Sequence, residues 1–373
     1  MNSIKVLFVV QGVYGRVGST ASFMFPRILS QLGCPVKILV FSEENEVIEK
    51  DQNLIIAQSS NFINKVLKIR ETIKQFQPEI IHVFYNVEGN SILPFICRVA
   101  NRNRAKWLID VRSPPLRLKT VTWWLKYINI VRDFLRQIGY SAITAHVRQS
   151  AFDVYHLIVK PLYELPFGVD VGRITKKQWK FDLNGVVPVK RFIYVGSIAR
   201  LRRLEILLEG ICSAKNNLGT LGSFEVHFFG TGDAVEDLRK KLIQLGIDSI
   251  VQFKGFIDQS RLFAILHEYD AGVGYVPYEQ YMSAPALKII EYMAANLAVI
   301  ASDTDGIKIH IDDQVNGMLF KNTVESISSA IVNVVKNGYP HRLLLAAEKD
   351  IKKYNWQNIV KNNLLPTYKS LMK

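Results

Sequence analysis

The side chains best suited to chemistry fall in residues 269–320, YDAGVGYVPYEQYMSAPALKIIEYMAANLAVIASDTDGIKIHIDDQVNGMLF. The segment reads as strand, loop, helix, strand, loop. Ala271–Val276 is a short apolar run, Tyr278–Pro285 a loop, Ala286–Asn296 carries a helical pattern, and Leu297–Ala301 is the next buried strand. Pro285 suits the first turn of a helix, where its missing N–H is an orphan anyway. A polar loop entering a helix at the carboxyl end of a parallel strand is an anion site, because the first N–H groups of the helix point at the ligand. Glu291 lies about a turn and a half further along, where a carboxylate can accept from sugar or ribose hydroxyls. Lys288 precedes it by three residues on the same face, so it either neutralises a bound anion or pairs with Glu291. The run Asp303-Thr304-Asp305 invites a divalent metal, although its place directly after a strand also suits a turn.

Other polar side chains stand at expected strand ends. Arg200 and Arg202 follow the strand Phe192–Val195, and a planar guanidinium pairs with phosphate oxygens from more than one approach. Asp110 closes the strand Trp107–Asp110 and Arg112 follows it, but an aspartate there is often only a turn or cap residue. His82 and His146 also end strands, where a hydrogen-bonded structural histidine is the plainer reading. The loop GVYGRVGS, with Gly12, Gly15 and Gly18, leads into a helix at Thr20–Gln31.

Holding these groups in place requires two α/β halves, as 373 residues suggest. In the first, Lys5–Val10, Val36–Phe41, Ile80–Phe84 and Trp107–Asp110 read as strands, with Ala142–His146 and Leu162–Leu165 completing a parallel doubly wound sheet. Helices are expected at Thr20–Gln31, Asn61–Phe76 and Ser91–Ala100. PFGVD, residues 166–170, punctuates the chain, giving domains 1–170 and 171–355. The second half runs through Phe192–Val195, Leu204–Lys215, Phe224–Phe229, Ala234–Leu245 and Ile250–Phe253 into the segment above, then helices at Val324–Asn337 and His341–Lys353.

Composition narrows the classes. Apolar content of 49% and charged content of 21% describe a globular protein. Cys34, Cys97 and Cys212 are too few and too scattered for a disulfide framework or a zinc site, which points to a reducing cytoplasm. IKVLFVVQGVYG has too short an apolar run for a signal peptide and reads as a first strand. No run approaches the roughly 20 apolar residues that span a bilayer. The net charge of +14 is concentrated: residues 98–148 hold eleven Lys or Arg against Asp110 and Asp133. Such a window favours an anionic partner, or is a solvated basic face. Within it, Val121–Ile138 forms a helix whose apolar face (Val121, Trp124, Leu125, Ile128, Val131, Leu135, Ile138) is widened by Trp123, Tyr127, Ile130 and Phe134, with Lys126, Arg132 and Arg136 opposite. Trp123, Lys126 and Tyr127 suit an anionic membrane interface; a helix packed against its own sheet is the alternative. No nucleic-acid recognition motif is present, so no nucleic acid is expected.

Four segments in register resemble the family-4 (group 1) retaining glycosyltransferases: Tyr194–Glu209 (YVGSIARLRRLEILLE), Phe228–Asp233 (FFGTGD), Val251–Asp258 (VQFKGFID) and 269–320. The resemblance implies the GT-B fold, two Rossmann-like domains facing across a cleft, with the helix at 356–373 returning to the first. It implies a nucleoside-diphosphate sugar as donor, bound through Gly18, Gly196, Ser197, Gly230, Ser283, Ala284, Pro285, Ala286, Lys288 and Glu291, with Arg200, Arg202, Glu291 and Asp110 in catalytic roles. Arg112 and His82 are the acceptor-side candidates. The chain departs from the family where its first cation becomes Ser197 and its first motif glutamate becomes Ser283; P-x-x-K-x-x-E-Y-M-A resembles a recurring subgroup. The family generally needs no metal, so no cofactor is expected and Asp303 and Asp305 are read as loop residues. The expected activity is sugar transfer to a glycan or lipid-linked hydroxyl, in cell-surface polysaccharide or glycolipid synthesis, at the cytoplasmic face of the membrane. A binding protein that keeps the fold without turnover and, less strongly, a nucleotide-sugar epimerase are the alternatives.

Overall fold

The computed structural model describes residues 3–12, 20–42, 53–58, 61–101, 104–112, 123–180, 185–277 and 286–373. The chain divides into two compact units, Met1–Gly168 with Trp356–Lys373, and Val169–Asn355.

The first unit is built on a seven-stranded parallel sheet. Its strands are β1 (Val6–Gln11), β2 (Val36–Ser42), β3 (Leu54–Gln58), β4 (Ile80–Phe84), β5 (Lys106–Val111), β6 (Ala142–Ala145) and β7 (Leu162–Glu164), in the order β3-β2-β1-β4-β5-β6-β7. The order reverses between β1 and β4, and ligands of such sheets bind beyond the carboxyl ends of the strands at the reversal. Helices α1 (Thr20–Gln31), α2 (Phe62–Phe76), α3 (Leu93–Asn101), α4 (Trp123–Ile138) and α5 (Arg148–Val154) connect the strands. Apolar clusters pack on both faces of the sheet, which is why β1 and β4 are fully apolar or nearly so instead of alternating.

Two elements escape a reading by apolar runs. The strand β3 is only LIIAQ after a long acidic and polar stretch, and α5 is a seven-residue helix that starts at the last residue of the basic window. The terminal helix begins at Trp356–Ile359, widens into a π turn at Val360–Leu364 and ends at Leu365–Met372. Trp356, Ile359, Val360, Leu364 and Tyr368 are buried in the same core cluster as β1 and β2. Gly168 is needed for this docking, because a Cβ there would stand 2.3 Å from the Trp356 ring.

The second unit carries a six-stranded parallel sheet and a short antiparallel pair. The pair joins β8 (Val186–Val187) to β15 (Tyr339–Pro340). The sheet runs β11-β10-β9-β12-β13-β14, with β9 at Arg191–Val195, β10 at Glu225–Phe229, β11 at Val251–Gly255, β12 at Ala271–Gly274, β13 at Ala298–Ser302 and β14 at Met318–Phe320. Its order reverses between β9 and β12. Helices α6 (Leu204–Leu218), α7 (Val235–Leu245), α8 (Gln259–Ile265), α9 (Leu287–Ala294), α10 (Asp305–Lys308), α11 (Val324–Asn337) and α12 (His341–Ile351) complete it.

Candidate active site

The polar groups of the second unit converge at the reversal between β9 and β12. Three glycines bring the backbone segments together there. A Cβ on Gly230 would lie 1.9 Å from the Gly196 carbonyl oxygen, and one on Gly232 would lie 2.3 Å from that of Ile198. Gly196 and Gly230 have φ of +154° and +146°, a region that L side chains rarely adopt. The Gly196 N–H donates to Phe229 O at 2.9 Å, the Ile198 N–H to Thr231 O at 2.9 Å, and the Gly230 N–H to Gly255 O at 2.8 Å. The loops after β9, β10 and β11 are thereby locked side by side. Gly230 is thus required by the fold itself, whatever it contributes to a ligand.

Helix α9 packs on β12 in the same manner. A Cβ on Gly272 would meet the Tyr292 ring at 2.2 Å, and one on Gly274 would meet Ile289 at 2.3 Å. The buried Tyr292 hydroxyl accepts from the Val195 N–H at 2.9 Å, fixing α9 to the end of β9. The chain leaving β12 is held by two further side chains: Ser302 Oγ accepts from the Val276 N–H at 3.0 Å, and Asn322 Nδ2 donates to Val276 O at 2.7 Å.

This scaffold sets Lys288 on the first turn of α9. Its Nζ lies 4.0 Å from the Tyr194 ring centroid and 3.4 Å from Tyr275 O, and a Cβ on Gly196 would come within 3.3 Å of it. No ion pair closes on it among the described residues. Desolvation, followed by the positive charge of Arg202, pushes the Lys288 ammonium well below the ordinary lysine range, with Glu291 opposing. Glu291 is raised by desolvation, against the Gln259 hydrogen bond and the Lys288 charge. Its Oε1 accepts from Gln259 Nε2 at 3.2 Å. Both side chains are partly buried, so each remains within reach of a ligand. A desolvated cation over an aromatic face, a second cation nearby and a carboxylate one turn along can bind an anionic group beside a hydroxylated one.

The remaining sequence candidates divide clearly. Arg200 is exposed and its guanidinium donates to Asp237 Oδ2 at 2.9 Å, while its N–H donates to Asp233 Oδ1 at 3.0 Å. Arg202 is the cation whose charge reaches Lys288. Ser197 is exposed beside Gly196, and its carbonyl accepts from the Tyr194 hydroxyl at 3.4 Å. Ala286 is the N-cap residue of α9, with extended backbone. The helix therefore starts at Leu287. Ser283, Ala284 and Pro285 themselves, like Gly18, lie outside the described residues. Asp303 pairs with Lys308 at 2.5 Å, and Thr304 caps α10 by accepting from the Ile307 N–H. The Asp-Thr-Asp run thus begins a helix.

In the first unit Asp110 and Arg112, at the carboxyl end of β5, come together with His82, the middle residue of β4. Asp110 and His82 are fully buried. Arg112 Nε donates to Asp110 Oδ2 at 2.9 Å, and His82 Nε2 lies 3.5 Å from the same oxygen. Burial opposes ionisation of Asp110, but the Arg112 charge and His82 outweigh it and hold the carboxyl below its usual range. Arg112 Nη1 donates onward to Leu165 O at 2.6 Å and Pro166 O at 3.3 Å. His82 Nδ1 is 2.7 Å from the Tyr368 hydroxyl on the terminal helix. His146 Nε2 sits 2.7 Å from Ser150 Oγ and its ring stacks on Phe167.

Sequence reasoning passed over Tyr194, Gln259 and Tyr368 as partners of these groups. Gln259 and Tyr368 stand 32 and 286 residues from their partners, a separation at which no local pattern signals contact.

Two doubly wound parallel sheets, each reversing its strand order, define the class by architecture: the GT-B fold. Residues 189–337 match the family described as glycosyl transferases group 1. Over the whole chain the structure is similar to a glycosyltransferase from Rickettsia africae ESF-5, with a TM-score of 0.74, 15% identity and 100% of both chains covered. It is similar also to a sucrose-phosphate synthase (tll1590) from Thermosynechococcus elongatus, with TM-score 0.73, 15% identity and 99% of each chain. A third match is Anabaena Alr3699/HepE, solved in complex with UDP, with TM-score 0.71, 14% identity, and 98% of this chain and 100% of that one. No curated protein matches significantly in sequence. The chain has the GT-B fold, and within it residues 189–337 are similar to the group 1 glycosyl transferases.

Proposed function

We propose that the chain is a retaining glycosyltransferase that takes a nucleoside-diphosphate sugar at the β9–β12 reversal and transfers the sugar to a hydroxyl of a glycan or lipid-linked acceptor. Cell-surface polysaccharide or glycolipid synthesis is the setting that fits such an acceptor. The observation that carries the reading is Lys288, a desolvated ammonium with a lowered pKa and no ion pair among the described residues, adjoining Gly196. Holding such a charge out of water is unfavourable unless an anion joins it, and a diphosphate is the anion this family handles. Glu291, supported by Gln259, binds the ribose hydroxyls. The UDP complex of the Anabaena protein makes uridine the first base to test.

In the reaction the bond between the anomeric carbon and the diphosphate oxygen breaks as the acceptor oxygen bonds to that carbon on the same face. The acceptor proton passes to the departing phosphate oxygen, because Asp110 is sealed from solvent and committed to Arg112. Lys288 and Arg202 stabilise the charge that develops on the diphosphate. Arg200 joins them only by exchanging Asp237 for phosphate. No metal is needed in this scheme, since those cations meet the diphosphate directly.

The test is thermal stabilisation by UDP, GDP, ADP, dTDP and CDP, each with and without magnesium. A matching diphosphate should stabilise by about 2.7 kcal/mol at a hundredfold excess over its Kd. A shift with one base, independent of magnesium and lost in Glu291→Ala, supports the reading; no shift with any of the five overturns it.

A further inference from the structure

Over Ile130–Ile138, helix α4 is assembled with its polarity reversed. Asp133 and Gln137 are fully buried, whereas Ile130, Val131, Phe134, Leu135 and Ile138 are exposed, Val131 at 59% and Leu135 at 56%. At 100° per residue these five fall within one arc of about 140°, so they form a continuous apolar stripe, and Arg132 and Arg136 border it. The cause is local. Asp133 Oδ2 accepts from the His156 N–H at 2.8 Å, Gln137 Nε2 donates to Leu157 O at 2.6 Å, and Gln137 Oε1 accepts from the Val159 N–H at 2.9 Å. These bonds satisfy the loop before β7, and turning the stripe inward would break all three. Leu157 and Val159, carried on that loop beside the helix, are exposed as well.

At the carboxyl end of α4 lies a cavity of about 590 Å³ lined by Arg104, Lys106, Lys160, Ile138, Tyr140 and Ser141. Among the described residues none of the three cations has an ion-pair partner. Ile138 belongs to both features, so the cationic hollow adjoins the apolar stripe. An exposed apolar patch of this kind marks an interaction site, and its charge selects the partner.

We propose that this face docks on an anionic phospholipid bilayer, with the α4 stripe entering the headgroup boundary and the hollow of Arg104, Lys106 and Lys160 receiving a lipid phosphate. The charges fit: apolar side chains beside unpaired cations complement an interface whose hydrocarbon begins just beneath a layer of phosphates. The hollow stands at the amino-terminal edge of β5, opposite the strand ends where Asp110 and Arg112 cluster, so docking leaves those strand ends free.

The experiment is vesicle flotation of the full chain, without nucleotide, against pure phosphatidylcholine and against phosphatidylcholine with 30% phosphatidylglycerol. Binding should require the anionic lipid and weaken at least tenfold as salt is raised, since each cation–lipid contact is screened. Phe134→Ser with Leu135→Ser should abolish it, and Arg104→Gln with Lys160→Gln should weaken it, while melting temperature and diphosphate binding remain those of the parent. Equal binding of both vesicle types, no binding of either, or capture of duplex DNA in place of vesicles would overturn the proposal. So would a dimer in sedimentation that Phe134→Ser with Leu135→Ser dissociates. Because the readout omits the donor, its failure is separate from any failure of the diphosphate screen.

Discussion

The two units each gather charged side chains at the carboxyl ends of parallel strands, yet they treat them in opposite ways. Around Asp110 the charges are sealed and mutually paired: Arg112 bonds the carboxylate, two backbone carbonyls take up Arg112, and His82 ties the group to Tyr368. Around Lys288 the charges are partly open and left apart, the ammonium resting on a tyrosine ring and the carboxylate on a glutamine. The pKa directions express this difference. Asp110 is held in its charged form despite burial, whereas Lys288 and Glu291 are both pushed toward neutrality. Paired charges brace the fold even though Asp110 Oδ1, His82 Nε2 and Arg112 Nη2 keep no hydrogen-bond partner among the described residues, whereas charges held apart retain free energy for a ligand.

The largest effect is expected from breaking the closed network. Asp110→Ala leaves Arg112 and His82 buried without their counter-charge, and loss of one partner of a buried pair costs about 3–5 kcal/mol. Denaturant unfolding should show that loss, while any chain that remains folded binds diphosphate at the parent Kd. A large change in Kd with little change in stability would reverse the assignment and make Asp110 part of the binding machinery.

Lys288→Ala should do the opposite. Removing a desolvated cation leaves the unliganded melting temperature unchanged or raised, because among the described residues no ion pair closes on it. Sugar transfer should fall by about 10²–10³, the scale for losing one preorganised donor to developing negative charge. The pH dependence sharpens the point. Lys288 must be protonated to attract a diphosphate, so affinity should decline as pH rises through its lowered pKa, below where a normal lysine titrates. Lys288→Arg should remove that decline, since a guanidinium stays charged; titration calorimetry across pH with both proteins decides it.

Much of this contrast was legible in the residues. The alternation of apolar runs and helical patterns gives both sheets except β3 and the three-residue β14, which are too short or too polar to signal themselves. Lys288 and Glu291 stand out because their spacing places them on one helical face. What could not be read was the environment. Whether Asp110 is a turn residue or a buried charge depends on Arg112 reaching Leu165, a contact across 53 residues. The orientation of α4 was half legible: its pattern suits either a membrane interface or packing on its own sheet, and over Ile130–Ile138 the bonds of Asp133 and Gln137 to the loop at 156–159 leave the apolar side chains outward.

His310 tests burial without any network. It is buried in the second unit, neither ring nitrogen has a hydrogen-bond partner among the described residues, and its ring meets Tyr354 edge-on. Desolvation, then the charge of Lys353, lowers its pKa from 6.5 to about 4. The folded chain therefore keeps His310 neutral where the unfolded chain protonates it. Its contribution is fully present above pH 6.5 and is lost as pH falls from there toward 4, up to about 3 kcal/mol in all. His310→Phe should flatten the stability profile over that window. An unchanged profile would show that the acid sensitivity arises elsewhere.

The smallest effect separates bracing by the terminal helix from simple packing. Tyr368→Phe keeps the ring against His82, with centroids 6.0 Å apart, and removes only the hydroxyl 2.7 Å from His82 Nδ1. An unsatisfied buried polar atom costs about 1–3 kcal/mol. The loss should approach the lower figure, because most of the ring's contacts survive. The informative measurement is a double-mutant cycle with Asp110→Asn. If Tyr368 acts on Asp110 through His82, the two losses will be less than additive, since the first substitution already frees the imidazole. Strict additivity would reduce the histidine to a spacer between two independent contacts, and the closed network would then end at Arg112.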